Sequence, residues 1–402
     1  YTEVVTLNSM VPLWHKNKNE ISEEEYNSFY KDKCGDYTDP LCHMHVRNEG
    51  TITYDALLYI PSHTPFNYYS KDYEKGLQLY ANGVLIMDRC EDLLPDYFSF
   101  VKGLVDSEDL SLNISREMLQ HDAQLRQIAR SIERTIKNEL QRMMKNDREK
   151  YEKFYQAFGL QLKYGIYQDY GMHKDLLQDL LLFPSSKDGK LVSLKEYVDR
   201  MPEGQDKIYY AAGESIARIE SLPQTEQVKD KGYEILYFTE NVDEFAVRMM
   251  QGYQEKQFQS VLDSNLDLES EEEKKELEEK QESSKDMLEA VKKALEGKVG
   301  NVKLSGRLKS HPVCLSSEGE LSMEMAKTLN AMPGTEGQKL QAQTVLEINP
   351  EHPIYQRLME LQTSDSAKLD DYAKLLYDQA LLIAGMPVED PVVFSNRICD
   401  LM

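Results

Sequence analysis

The chain has 402 residues, of which 41% are hydrophobic and 29% charged, with a formal net charge of −23. That balance is globular and the length exceeds one ordinary domain, so two or more cores are expected. So strong a negative charge excludes wrapping of nucleic acid, whose phosphates demand a basic footprint. No run of about eighteen or more apolar residues is present to span a membrane. The chain opens at Tyr1 without an initiator Met or a basic-then-apolar leader, as expected of a fragment. Its five cysteines have no regular spacing and fit free thiols in a reducing cytoplasm.

In chain order, the only tryptophan lies in Pro12-Leu13-Trp14. Ser22 and Glu25 form a capping box that starts a helix through Tyr26, Phe29 and Lys31. Cys34, Cys42, His43 and His45 are possible zinc ligands, but their spacing fits no common finger and neighbours such as Cys42 and His43 point to opposite faces of a strand. No metal is expected. Residues 51–61 read as a strand, and 76–80 with 84–87 as a hairpin about Ala81-Asn82-Gly83. Strands interleaved with helices indicate α/β layers.

Residues 93–120 carry the most information. Phe98, Phe100, Val101, Leu104 and Val105 bury a short element, so Asp106, Glu108 and Asp109 are expected to face water or a cation. Asn113 or Ser115 can cap a following helix, placing Arg116 and Gln120 on one face of its first turn. A cation and an amide donor at a helix start suit an anion; the competing reading pairs Arg116 with one of the three acids inside its own domain. Seven Lys or Arg against three acids then lie between Arg126 and Arg148, on a helix with the apolar face Leu125, Ile128, Ile132, Ile136, Leu140 and Met143. An ordinary solvated helix face accounts for that charge. An aromatic-rich helix from Tyr151 is expected to end at Gly159.

A smaller α/β unit follows, with its elements in 176–185, 194–197, 207–215 and the strand 233–238, closed by a turn at 241–245. From Asp263 to Glu296 there are thirteen acids against six lysines, a solvated helix or linker marking a domain boundary. Order returns with Met287, Leu288, Val291 and Leu295 at helical spacing, then strands near 299–308 and at Leu315. Met325, Leu329 and Met332 share a helical face that Met323 does not, suiting either a core or an adaptable surface for many partners. Leu369, Tyr372, Leu375, Leu376, Leu382 and Ile383 on one helix are followed by Phe394 and Ile398 on another begun by Asp390-Pro391. They leave more apolar surface than a small domain buries alone, so a two-fold dimer through a helix bundle is expected. No Gly-x4-Gly-Lys-Ser/Thr loop and no Ser-His-Asp or Cys-His grouping can be assigned.

Residues 93–120, from Leu93-Leu94-Pro95-Asp96-Tyr97 through Gly103-Leu104-Val105-Asp106-Ser107 to Ser115-Arg116-Glu117-Met118-Leu119-Gln120, closely resemble the middle domain of the ninety-kilodalton heat-shock protein chaperones. The resemblance extends to Pro12-Leu13-Trp14, Glu24-Glu25-Tyr26, Lys207-Ile208-Tyr209-Tyr210, residues 375–385 and 390–397, and covers all 402 residues. It implies an α/β and α+β multidomain protein, with a middle domain of two layered α/β units joined by a helical segment and then an α+β C-terminal dimerisation domain. The implied divisions are 1–120, 121–170, 171–250 and 251–402.

The resemblance also implies that Arg116 reaches the terminal phosphate of ATP held in an N-terminal domain preceding Tyr1, and that Gln120 assists. ATP and magnesium are then cofactors of the whole protein, none is expected on these residues, and this portion alone should not hydrolyse ATP. Trp14, Met323, Met325, Leu329 and Met332 become contacts for unfolded or partly folded client proteins, and Leu369, Tyr372, Leu375, Leu376, Leu382, Ile383, Phe394 and Ile398 the homodimer contact. Another chaperone system is an implied partner; nucleic acid and membrane are not. The ending Ile398-Cys399-Asp400-Leu401-Met402 lacks the acidic pentapeptide of cytosolic eukaryotic members, which points to a bacterial, cytoplasmic, stress-response type. The alternative is a nucleotide-independent α/β scaffold or adaptor dimer. The transducer half of a DNA-processing ATPase fits poorly, since neither a phosphate-sensing lysine nor a basic channel is evident.

Overall fold

The computed structural model describes residues 11–110, 122–333 and 339–401. It is a mixed α/β and α+β structure that divides into two compact units, Tyr1–Leu182 and Phe183–Met402. Each has its own sheets and core.

In the first unit, the helix Glu23–Cys34 begins with the reciprocal Ser22–Glu25 capping box and stops at Gly35, whose φ of 65° ends it in the left-handed region. Five strands follow: β1 (Cys42–Glu49), β2 (Thr53–Ile60), β3 (Leu77–Ala81), β4 (Val84–Cys90) and β5 (Lys102–Ser107). Their order is β1-β2-β5-β3-β4, with only β3 and β5 parallel. Asn82 and Gly83, at φ 48° and 76°, make the β3–β4 hairpin turn. Central β5 comes so close to β2 that a Cβ on Gly103 would stand 2.0 Å from the Leu57 carbonyl oxygen, and its φ is 128°; only glycine fits. Trp14, Ile21, Tyr26, Tyr30, Leu57, Tyr59, Tyr80 and Leu104 form one core cluster of this unit.

The helix Ala123–Asn146 buries all six apolar positions of its stripe, from Leu125 to Met143. The next helix, Arg148–Gln168, passes through Gly159 instead of ending there. Phe154, Phe158, Leu162 and Ile166 continue the apolar face beyond the glycine, and the Tyr155 ring occupies the space a side chain would need, 2.7 Å from an ideal Cβ. Here packing overrides the helix-ending tendency of glycine.

The second unit contains the parallel sheet of β8 (Lys207–Ala212), β9 (Ile235–Phe238) and β10 (Gln257–Ser260), with β8 central. It follows the short pair β6 (Leu182–Pro184) and β7 (Leu191–Ser193). Parallel strands need crossovers, supplied by the helices Ile216–Glu220, Thr225–Asp230 and Asp243–Met250. The acidic run then forms the helix Glu271–Ser283, which has no buried residue. A further sheet comprises β11 (Asn301–Leu304), β12 (Val313–Glu318) and β13 (Gln343–Ile348), with β13 in the middle. Its core joins the helices Lys285–Ala294, Pro353–Ser364 and Ser366–Ile383 through Leu288, Val291, Leu315, Leu346, Leu358 and Leu376.

Glu347 on β13 is fully enclosed. Arg307 donates to both its oxygens, Nε at 3.0 Å, while Ser305 and Ser316 donate at 2.9 and 2.7 Å. Arg307 also donates from Nη1 to the Val261 carbonyl at 2.8 Å. Burial pushes the Glu347 carboxyl up, but Arg307, Lys303 and Ser316 outweigh it and hold the group below its ordinary value. Its stabilising contribution is therefore present above the ordinary carboxylate range and is lost as pH falls through the lowered value. Arg307→Leu should cost about 3–5 kcal/mol, because it strands a buried charge. Urea unfolding at neutral pH checks this, and a loss below about 1 kcal/mol would show that the carboxylate finds water instead.

Candidate functional site

Arg116 and Gln120 lie outside the described residues, which end at Leu110 on one side and resume at Asp122 on the other. What the structure describes is the strand that leads there. Asp106, at the end of β5, is 3% exposed and not turned to water. Its Oδ2 accepts from Trp14 Nε1 at 2.9 Å and faces His15 Nε2 at 3.0 Å, and its Oδ1 accepts the Gly83 N–H at 3.1 Å. Of the expected water or cation, Asp106 therefore has no water, since it is buried; neighbouring chain supplies the donors that burial requires, and its one ionisable cationic neighbour among the described residues is His15. Glu108 and Asp109 are exposed, and Asp109 accepts the Thr53 N–H at 2.6 Å.

The apolar candidates separate by depth. Trp14 is buried in the first unit's core, so its expected exposure is corrected: its indole N–H is committed to Asp106. The helix Met323–Asn330 is capped by Ser322 and buries Met325, 6% exposed, beside Ala326, so Met325 is also a core residue. Met323 is half-buried against the C-terminal core, Leu329 is half-buried, and Met332 is 43% exposed. Of the eight expected dimer contacts, Leu369 and Leu376 are taken up by the chain's own core. Tyr372, Leu375, Ile383, Phe394 and Ile398 are half-buried, and Leu382 is exposed with Val392 and Val393.

Glu244 carries no signal in the sequence, where 241–245 reads as a turn. It lies in the first turn of the helix Asp243–Met250, and its carboxyl is buried. Ser322 Oγ donates to Glu244 Oε2 at 2.6 Å while accepting the Met325 N–H at 3.0 Å, so one hydroxyl joins this acid to the cap of the methionine helix. Burial pushes the Glu244 carboxyl up to about 7; Ser322 and Arg248 oppose the rise, and Glu324 and Asp243 add to it. A cleft beside it is lined by Gly213, Leu222, Leu262, Met323 and Met386. Apolar walls and a few convergent polar groups are the usual composition of a binding cleft.

Among the described residues no three or more His, Cys, Asp or Glu side chains are arranged to hold a metal ion. His43 instead stacks on Tyr26 with ring centroids 3.8 Å apart, and His45 is bonded to the Tyr26 hydroxyl at 2.8 Å. All five cysteines are free thiols. Among the described residues no helix is long and apolar enough to cross a membrane.

A parallel three-stranded α/β layer followed by a helix-covered mixed sheet, with a five-stranded sheet in the other unit, defines a multidomain α/β and α+β protein. The Hsp90 protein family model matches residues 1–402, and the chain belongs to the Hsp90 protein family. It is 59% identical over 402 residues to the chaperone protein HtpG of Clostridium perfringens and 58% identical over 400 residues to that of Bacillus subtilis. Each comparison covers 100% of this chain and 64% of the relative, so the chain spans less than two thirds of the curated relatives it matches.

Because the Glu244 carboxyl is raised from 4.5 to about 7, the folded state holds a proton that the unfolded chain releases earlier. The stabilisation is complete below the ordinary value and is lost as pH rises through about 7. Glu244→Gln should remove that part of the fall, leaving a shallower slope than the wild type from about pH 5 to 8. Denaturant melts of both proteins across this range check it; parallel slopes would assign the proton to another group.

Proposed function

We propose that these residues are the middle and C-terminal parts of an ATP-dependent chaperone of the bacterial kind, which binds unfolded or partly folded proteins. The supporting observation is 59% identity across the whole chain to a relative named as a chaperone. On this reading the parts are 1–120, 121–170, 171–250 and 251–402, and the protein works in the cytoplasm under stress as a homodimer, with another chaperone system as a partner. The dimer contact draws on Tyr372, Leu375, Leu382, Ile383, Phe394 and Ile398, with Val392 and Val393 beside them. Joining exposed apolar faces of two copies would remove them from water, the usual reason for an isologous helical interface.

Client contact falls to Met323, Leu329 and Met332. Methionine suits it because an unbranched, polarizable side chain packs against partners of many shapes. Leu329→Ser with Met332→Ser should weaken suppression of client aggregation while costing about 1 kcal/mol or less of stability, since Leu329 is half-buried and Met332 exposed. A loss on the order of 2 to 5 kcal/mol would make these residues core instead.

Nucleotide coupling falls to Arg116 and Gln120, acting on ATP held in a domain outside these 402 residues. Bound there with magnesium, ATP supplies the phosphoryl group. A guanidinium can stabilise the negative charge that spreads over the departing phosphoryl without moving a proton, and an amide can orient the attacking water. In the full-length protein, Arg116→Ala should lower turnover by about tenfold or more with little change in nucleotide binding, because the lost contact acts in the transition state. Gln120→Ala should act in the same direction, less strongly. Turnover and melting temperature measured on one Arg116→Ala preparation separate this from an internal ion pair: a destabilised protein with unchanged turnover would remove the catalytic role.

A further inference from the structure

We propose that His15 is a proton-dependent clamp that fastens the end of β5 to β2 and to the segment preceding the first helix. Asp55 on β2 and Asp106 on β5 are register partners, directly opposite each other across the ladder. Like charges so placed repel. His15 lies between them, with Nδ1 2.7 Å from Asp55 Oδ2 and Nε2 3.0 Å from Asp106 Oδ2.

The hydrogen-bond inventory sets the state of the ring. Each Asp106 oxygen already accepts an N–H, Oδ2 from Trp14 and Oδ1 from Gly83, so this carboxylate acts as an acceptor and the ring nitrogen facing it donates. Asp55 meets the other ring nitrogen, and its second oxygen faces Arg47 Nε at 4.0 Å. Neutral imidazole has a single N–H and serves only one of the two acids. The imidazolium serves both and sets one positive charge between two negative ones.

Losing the proton removes a hydrogen bond and the positive charge between the opposed carboxylates, leaving Arg47 beside Asp55 alone. Through Asp106 the effect reaches the Trp14 indole and the Gly83 turn, so one titration acts on four chain segments. Asp106 is buried, which makes an uncompensated charge there costly. The His15 side chain keeps 32% of its surface exposed, so it exchanges protons with solvent. Among the described residues the other groups around it are Arg47, itself paired with Glu49, and His45 on β1, and Lys16, which reaches Glu25 at 3.8 Å.

Trp14 is the only tryptophan, and its ring centroid lies 5.8 Å from that of His15, close enough for a protonated imidazole to quench indole emission. His45 is the competing source, because its Nε2 lies 3.0 Å from the Trp14 carbonyl oxygen. Emission is recorded against pH for the wild-type chain, His15→Gln and His45→Gln, with circular dichroism confirming the fold. The expected result is a rise in emission as pH increases in the wild type and in His45→Gln, and its loss in His15→Gln. A step that survives in His15→Gln, or disappears only in His45→Gln, overturns the clamp. Should His15→Gln fail to fold, nitrogen-15 spectra of the wild-type ring decide: two protonated nitrogens, with the Trp14 indole proton shifting in step with their titration, support the proposal, and a ring that titrates without moving the indole signal refutes it. No nucleotide or client enters the measurement, so its outcome does not depend on the chaperone reading.

Discussion

A carboxylate withdrawn from water must be met by donors, and one such group in each unit ties a sheet to the segments around it. In the second unit it is Glu347 on the middle strand of its sheet, which takes both arms of Arg307 and the hydroxyls of Ser305, just past β11, and Ser316 on β12. Arg307 in turn bonds the Val261 carbonyl just beyond β10, so the pair joins the end of the parallel layer to the mixed sheet. In the first unit it is Asp106, which gathers the tryptophan segment, the hairpin turn and His15 at the end of the central strand. Apolar packing supplies most of the driving force in both cores; these groups fix which strands and loops meet.

Glu244 shows the opposite case. Among the described residues a serine hydroxyl and the charge of Arg248 oppose its burial without outweighing it, so its carboxyl is pushed up to about 7. Glu347 and Glu244 are the same residue type in the same unit, yet one is driven below its ordinary value and the other above it. The difference is how the guanidinium meets the acid: Arg307 donates to both oxygens of Glu347, whereas Arg248 acts on Glu244 through its charge and does not outweigh burial. Perturbed acids beside clefts are candidates for functional sites on physical grounds, and Glu244 also holds the cap of the helix that bears Met323 and Leu329.

The apolar stripe on that helix shows why spacing does not decide between core and surface. Met325 and Leu329 share a face of the helix, but the helix ends at Asn330 and Met332, expected on the same face, lies beyond it; burial declines from Met325 to Met332. The helix is short, and only its first turn is sunk into the unit. The C-terminal helices behave alike: Leu369 and Leu376 enter the chain's own core while Leu382, Val392 and Val393 stay outside it.

Local signals by themselves determined a large share of the fold. The capping box at Ser22, the Asn82-Gly83 hairpin and the six-residue stripe from Leu125 to Met143 depend on contacts within a few residues, and each stands where its sequence says. The dense motif in residues 93–120 was enough to indicate the family, which the match over all 402 residues shows. Tertiary structure alone decided the rest. Gly159 passed inside a helix because flanking aromatics pack past it, and Asp106 was buried because donors arrive from segments far away in sequence. The middle strand β13 is not legible for a related reason: buried Glu347 interrupts its apolar character, and the groups that make that acid tolerable, Arg307 first, with Ser305 and Ser316, lie about thirty to forty residues earlier. Periodicity records which face is apolar; it carries no record of which distant group will satisfy a buried charge.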